Sequence, residues 1–142
     1  MEISQALFYG FSVIFQLKNL LFAFFGCALG TLIGVLPGIG PVAAISLLLP
    51  TTFRGDAVSG LIMLAGIFYG TQYGGSTTSI LVNIPGEAAS VVTCLDGYKM
   101  ALKGRAGPAL GMAAFASFIA GTFSIIMLII SRSSVPIFSA FR

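Results

Sequence analysis

The sequence predicts an all-α integral membrane protein. Three observations carry that expectation: 57% of the residues are hydrophobic, only 8% are charged, and the apolar runs are interrupted by glycine and proline clusters. Soluble domains are about 25% charged, and they need that charge to keep their surface free of large apolar patches. The two cysteines, Cys27 and Cys94, have no C-x-x-C spacing and the chain has no histidine, so neither a zinc site nor a disulfide framework is supported. A net charge of +3 is too small to argue for a nucleic-acid partner. The N-terminus "MEISQALFYGFSVIF" lacks the basic region and small-residue cleavage site of a secretory signal, and reads as retained.

Each apolar run can be weighed against a hydrocarbon core of roughly 30 Å, at about 1.5 Å of rise per helical residue. Ala6–Leu17 is too short to cross, and Lys18–Asn19 forms a polar break after it. Leu20–Leu36 lies at the lower limit for a span. Gly26, Gly30, Gly34 and Gly38 recur every fourth residue, which stacks them along one slowly drifting stripe. Such a stripe lets a second backbone approach closely, and packing within the chain is the favoured reading over a dimerisation face.

"LPGIGP", residues 36–41, then stops the helix. Pro37 lacks a backbone donor, Gly38 and Gly40 tolerate positive φ, and Pro41 suits the first position of a new helix, Val42–Leu49. That piece reads as half of a broken or re-entrant unit, with Thr51–Asp56, including Arg54, returning to water. Ala57–Gly70 is again short of a crossing, and Gly66, Gly70 and Gly74 make a second four-residue stripe.

A second interruption is expected within 71–86, around "YGGSTTSILVNIPGE". Pro85 then opens a short helix that ends near "LDGYK", where Asp96-Gly97 is a turn signal. Lys99, Lys103 and Arg105 place loop 97–105 on the cytoplasmic side by the positive-inside rule. Ala109–Ile130 is the clearest span, followed by Arg132 and the tail "SSVPIFSAFR".

Non-helical backbone survives in a membrane only where protein buries it or where it lines a wet cavity. Two interrupted segments therefore point to a binding site of the kind transporters build. Ser76, Thr77, Thr78 and Ser79 offer hydroxyl donors, and any of them can cap a helix starting near Ile80. A helix N-terminus binds carboxylates without an arginine, and no Lys or Arg lies between Arg54 and Lys99. Each hydroxyl also has a structural reading, as a bond to a neighbouring helix. Asn83 suits either ligand or ion contact or interhelical bonding. Glu87 fits capping of the first turn after Pro85, or the role of coupling carboxylate.

"GTLIGVLPGIGPVAAISLLLP" (30–50) and "MLAGIFYGTQYGGSTTSILVNIPGEAASVVTCLDGYKMALKGRAGPAL" (63–110) resemble the large membrane subunit of bacterial tripartite tricarboxylate transporters. The resemblance implies a multi-pass protein of the cytoplasmic membrane, carrying citrate or other carboxylates and driven by a sodium or proton gradient. It implies two partners, a small membrane subunit and a periplasmic solute-binding protein, and no cofactor besides the coupling cation. It assigns substrate or ion surroundings to Pro37, Gly38, Gly40, Pro41, Gly74, Gly75, Ser76, Thr77, Thr78, Ser79, Asn83, Pro85 and Gly86. Members of that family are several times longer, so residues 1–142 read as a single membrane domain forming the N-terminal part of a transporter subunit.

Other readings are a channel, since hydroxyls and carbonyls also line pores, and a structural assembly subunit. A membrane serine hydrolase is disfavoured: its nucleophile needs a nearby base, and without histidine only a carboxylate or the loop lysines remain. The protein is not expected to be an enzyme.

Overall fold

The computed structural model describes residues 3–52 and 56–139, with side chains described for 5–52 and 56–131. The expected position of Arg54 and the side chains after Ser131 lie outside the described residues. Among the described residues the fold is wholly helical. In chain order the elements are α1 (Ile3–Ile14), α2 (Leu17–Gly34), α3 (Pro41–Thr52), α4 (Ala57–Val82), a 3₁₀ turn (Ala88–Ser90), α5 (Val91–Leu102) and α6 (Ala106–Ser139). Among the described residues two helices are long and apolar enough to cross a membrane, Leu17–Gly34 and Ala106–Ser131.

The centre of the fold is a pair of parallel helices, α2 and α4, held by the two glycine stripes. A Cβ built on Gly30 would lie 2.8 Å from Ile67 Cα, and one on Gly34 would lie 2.7 Å from Thr71 Cα. From the other side, a Cβ on Gly66 would meet Ala23 O at 2.7 Å, and one on Gly70 would meet Thr31 N at 2.8 Å. Each contact is backbone, which cannot move aside as a side chain can. Gly26, Gly30 and Gly34 of the first stripe and all of the second are thus spent on packing within the chain, whereas Gly38 lies in the break after α2 with nothing within reach of an added Cβ.

The partners advance together along both helices, which is why the pair is parallel. It is also a repeat: "GTLIG" (30–34) and "GTQYG" (70–74) lie forty residues apart, and Thr31 and Thr71 each donate to the carbonyl four residues earlier. Near their starts the two helices are pinned by a buried polar pair, in which Ser59 Oγ donates to Asn19 Oδ1 at 2.7 Å. Asn19 Nδ2 donates in turn to Val13 O at 2.7 Å, tying in α1.

Parallel neighbours need a return segment, and α3 provides it. Ala44, near the start of α3, packs with Met63 and Ile67 in the core cluster, and Thr52 at its end meets Gly60. Pro50 is accommodated inside the last turn of α3, so the helix runs past the expected end at Leu49. After α4 the chain dips back, with Gly86 against Gly75, and then climbs so that Gly97 meets Ile80. α6 packs on α4 and α5 and leaves most of its surface outward.

Several boundaries differ from expectation. Lys18 and Asn19 lie inside α2, and the chain breaks at Phe15–Gln16 instead. Burial of Asn19 against Ser59 removes the need for it to face water.

α4 does not stop at Gly70. It runs to Val82 and is 26 residues long in all, about 39 Å, so residues 71–82 are helical and the second interruption is confined to Asn83–Glu87. Glycine's poor helix propensity is overridden there by packing of Gly74 on α2 and Gly75 on Gly86. Asp96-Gly97 is not a turn but the middle of α5. That helix ends instead at Gly104, φ +73, where Gly104 N–H donates to Ala101 O and Arg105 N–H to Met100 O in a Schellman motif. The loop expected over 97–105 is therefore only Lys103–Arg105.

Candidate functional site

The two interrupted segments meet. A Cβ on Gly40 would touch Glu87 Cβ at 3.7 Å, and a Cβ on Gly86 would meet the Gly75 carbonyl carbon at 3.2 Å. Thr78 Oγ1 donates across to Val35 O at 3.1 Å, joining α4 to the first residue past α2. The first break (35–40), the second break (83–87) and the hydroxyl stretch of α4 thus surround one another. Pro37, Gly38, Gly40, Pro41, Gly74–Ser79, Asn83, Pro85, Gly86 and Glu87 all lie on these three pieces.

The local reasons are legible residue by residue. Gly38 adopts φ +83, a conformation that a side chain would strain. Pro41 is the first residue of α3, as expected, and Ala44 N–H already bonds to Gly40 O. Asn83 caps the C-terminus of α4 in the left-handed region, φ 60 and ψ 28. Its role is thus at least partly backbone, since asparagine tolerates this conformation better than most residues.

The hydroxyls differ from expectation. Ser76, Thr77 and Ser79 donate to the carbonyls of Gln72, Tyr73 and Gly75 in their own helix, and Thr78 shares its one proton between Gly74 O in that helix and Val35 O. No helix starts near Ile80, so none of them caps one. Such i−4 bonds are the usual way for a hydroxyl to be satisfied inside a continuous helix. Thr78 and Ser79 are buried by the protein, whereas Ser76 and Thr77 are half-buried.

The helix N-termini lie elsewhere, at the breaks. α3 starts at Pro41 and the 3₁₀ turn at Ala88, both beside the Gly40–Glu87 contact, and the two elements lead away from it in opposite senses along α4. The first-turn N–H groups of a helix have no acceptor within it.

Glu87 is the N-cap of the 3₁₀ turn, in a capping box with Ser90, in keeping with the capping reading, though it stands one residue before the first turn. Its N–H donates to Ser90 Oγ at 3.1 Å, and Ser90 Oγ donates to Glu87 O at 2.9 Å. Glu87 lies outside both spanning helices, and partial burial pushes its carboxyl pKa up from the ordinary glutamate value. Two partners escaped sequence reasoning: the carbonyl of Val35 and the buried Asn19–Ser59 pair. Backbone carbonyls leave no sequence signal, and a lone Asn beside Lys18 reads as a loop.

A groove of about 430 Å³ between α4 and α6 is lined by Tyr69, Tyr73, Ser117, Phe118, Gly121 and neighbouring residues. Its walls carry hydroxyls but no charged residue, so it has no strong anchor for an anion.

A family model described as the tripartite tricarboxylate transporter TctA family matches residues 20–141. The chain belongs to the TctA family. TctA is a family of membrane transporter components, in line with the helical architecture and the two spanning helices. A relative from Agrobacterium vitis, named an uncharacterized 52.8 kDa protein in the TAR-I ttuC' 3'region, is 54% identical over 131 residues. The match covers 92% of this TctA chain and 26% of the relative, so the chain spans about a quarter of the relative's length. No solved structure gives a significant match.

Proposed function

We propose that this chain forms part of the substrate path of a tripartite secondary transporter that moves tricarboxylates or other organic acids across the bacterial cytoplasmic membrane. The transport is driven by a sodium or proton gradient. A periplasmic solute-binding protein delivers the substrate, and a small membrane subunit completes the complex. The observation that carries the reading is the meeting of two broken segments around Gly40 and Glu87. Broken membrane segments that bring helix N-termini together supply N–H groups and partial positive charge to a substrate carboxylate. No Lys or Arg lies between Arg54 and Lys99, so the attraction is modest and the anion can leave again.

The test is uptake of radiolabelled citrate and related acids by proteoliposomes containing the full-length membrane subunit with its two partners. The comparison is between wild type and a Ser76→Ala, Thr77→Ala, Thr78→Ala, Ser79→Ala variant, with and without ion gradients. Gradient-driven uptake that is lost in an assembled variant supports the reading. The four i−4 hydroxyl bonds favour a second reading, in which the stretch is packing only. Unchanged uptake in the variant would select that one.

A further inference from the structure

Between Phe68 and Ile80 the sequence of α4 holds no aliphatic side chain. The helix is longer than α2, at 26 residues against 18, yet it is not apolar enough to rank with the two spanning helices. It nevertheless lies at the depth of one of them. A Cβ on Gly66 would meet Ala23 and Cys27, one on Gly70 would meet Cys27 and Thr31, and one on Gly74 would meet Thr31 and Gly34. Residues 69–73 are therefore level with the second half of α2.

The polar side chains of this stretch divide by how they are satisfied. The short hydroxyls of Thr71, Ser76, Thr77, Thr78 and Ser79 all reach carbonyls of the chain. Tyr69, Gln72 and Tyr73 carry their polar atoms farther out. Among the described residues nothing lies within hydrogen-bond reach of the two phenol hydroxyls or the carboxamide. Nor are these atoms sealed in: Tyr69 is 55% exposed, and the polar atoms of half-buried Gln72 and Tyr73 stay open.

Spaced three and four residues apart, the three share one face of the helix. Tyr69 and Tyr73 line the groove of about 430 Å³ between α4 and α6, a volume in the range of small-molecule sites. Gln72 stands one turn before Gly75, which Gly86 of the second break touches. Polar groups facing hydrocarbon without a bond are costly, so this face is turned to ligand and water or to more protein. The chemistry favours a ligand. All three side chains can donate, and an ionised carboxylate only accepts. The helix rise puts Gln72 about 4.5 Å and Tyr69 about 9 Å from Gly75 along the axis, distances that a small acid with two or more carboxylates can bridge.

We infer that Tyr69, Gln72 and Tyr73 form a neutral donor subsite for a second carboxylate of the substrate, one to two turns from the breaks that hold the first. The inference deepens the transport reading and rests on it. It does not need the Ser76–Ser79 hydroxyls, whose protons are already spent within the chain. Without a charge on its walls the subsite binds modestly and lets go, and an acid with a single carboxylate gains nothing from it.

The experiment uses the full-length membrane subunit with its partners in proteoliposomes, and compares citrate uptake by wild type, Gln72→Leu and the double variant Tyr69→Phe, Tyr73→Phe. Each variant should need about tenfold more citrate for half-maximal uptake, the effect of losing a hydrogen bond to a charged group. Wild-type half-saturation in both would overturn the inference. The second measurement is Gln72→Cys in a subunit whose Cys27 and Cys94 have been replaced. The introduced thiol should react with a small water-soluble thiol reagent, and saturating citrate should slow the reaction where acetate does not. An unreactive thiol would overturn the inference and give the face to packing against another helix. Labelling at one rate with and without citrate would overturn it too, leaving a wet wall that binds nothing. No uptake of any acid by the wild-type assembly would instead count against the transport reading, and protection of the thiol in the purified subunit would then still decide whether the subsite exists.

Discussion

Asn83 ends α4 by taking a left-handed backbone, φ 60, which alanine reaches only at a cost. Asn83→Ala should therefore destabilise the folded subunit by about 1–2 kcal/mol, while Asn83→Gly should be nearly neutral. Thermal unfolding in detergent separates the two, and an equal loss in both would mean that the side chain, not the backbone, is what matters. Glu87 makes a different prediction. Its folded pKa is raised by burial, so the folded state holds a proton that the unfolded chain has already released. Stability then falls as pH rises from the ordinary carboxylate value through the folded one. Glu87→Gln should flatten that part of the stability profile. A Gln variant with the wild-type slope would assign the slope to another group.

At the scale of elements, the α2–α4 pair has no room between its backbones. Gly30→Ala or Gly34→Ala would drive a methyl group into the backbone of Ile67 or Thr71, forcing the helices apart at a cost of about 1–3 kcal/mol. Gly107 and Gly111 on α6 have nothing within reach of an added Cβ. Alanine at those positions should be neutral or stabilise by up to about 1 kcal/mol, through helix propensity alone. The contrast is the measurement: similar gains at all four positions would mean that propensity, and not contact, decides the effect. A stripe of glycines in the sequence shows that something comes close. It does not say what, and here each stripe is the other's partner.

For the whole molecule, parallel packing fixes sidedness. The starts of α2 and α4 share one side, whereas the turn Lys103–Arg105 lies beyond the far end of α4. The positive-inside rule, applied to Lys99, Lys103 and Arg105, predicts that Gln16 and Asp56 face the periplasm. Single-cysteine variants at Gln16 and Asp56, made after replacing Cys27 and Cys94, should react with a membrane-impermeant thiol reagent from outside. A cysteine at Lys103 should be protected until the membrane is opened. Labelling of all three from one side would contradict the parallel arrangement.

The sequence by itself determined the membrane class, the helical fold, a first break close to residues 36–41 and the four-residue glycine spacing. These are local or compositional properties: hydropathy, proline's missing donor, and four-residue spacing act without knowledge of the partner. Only the tertiary structure decided that the stripes face each other, that α4 runs on through Gly74 and Gly75, and that the two breaks meet at Gly40 and Glu87. The reason is that helix persistence in an apolar medium depends on where the backbone is packed, and a glycine against another helix behaves unlike a glycine in water. The same holds for Thr78, whose second acceptor is a carbonyl 43 residues away.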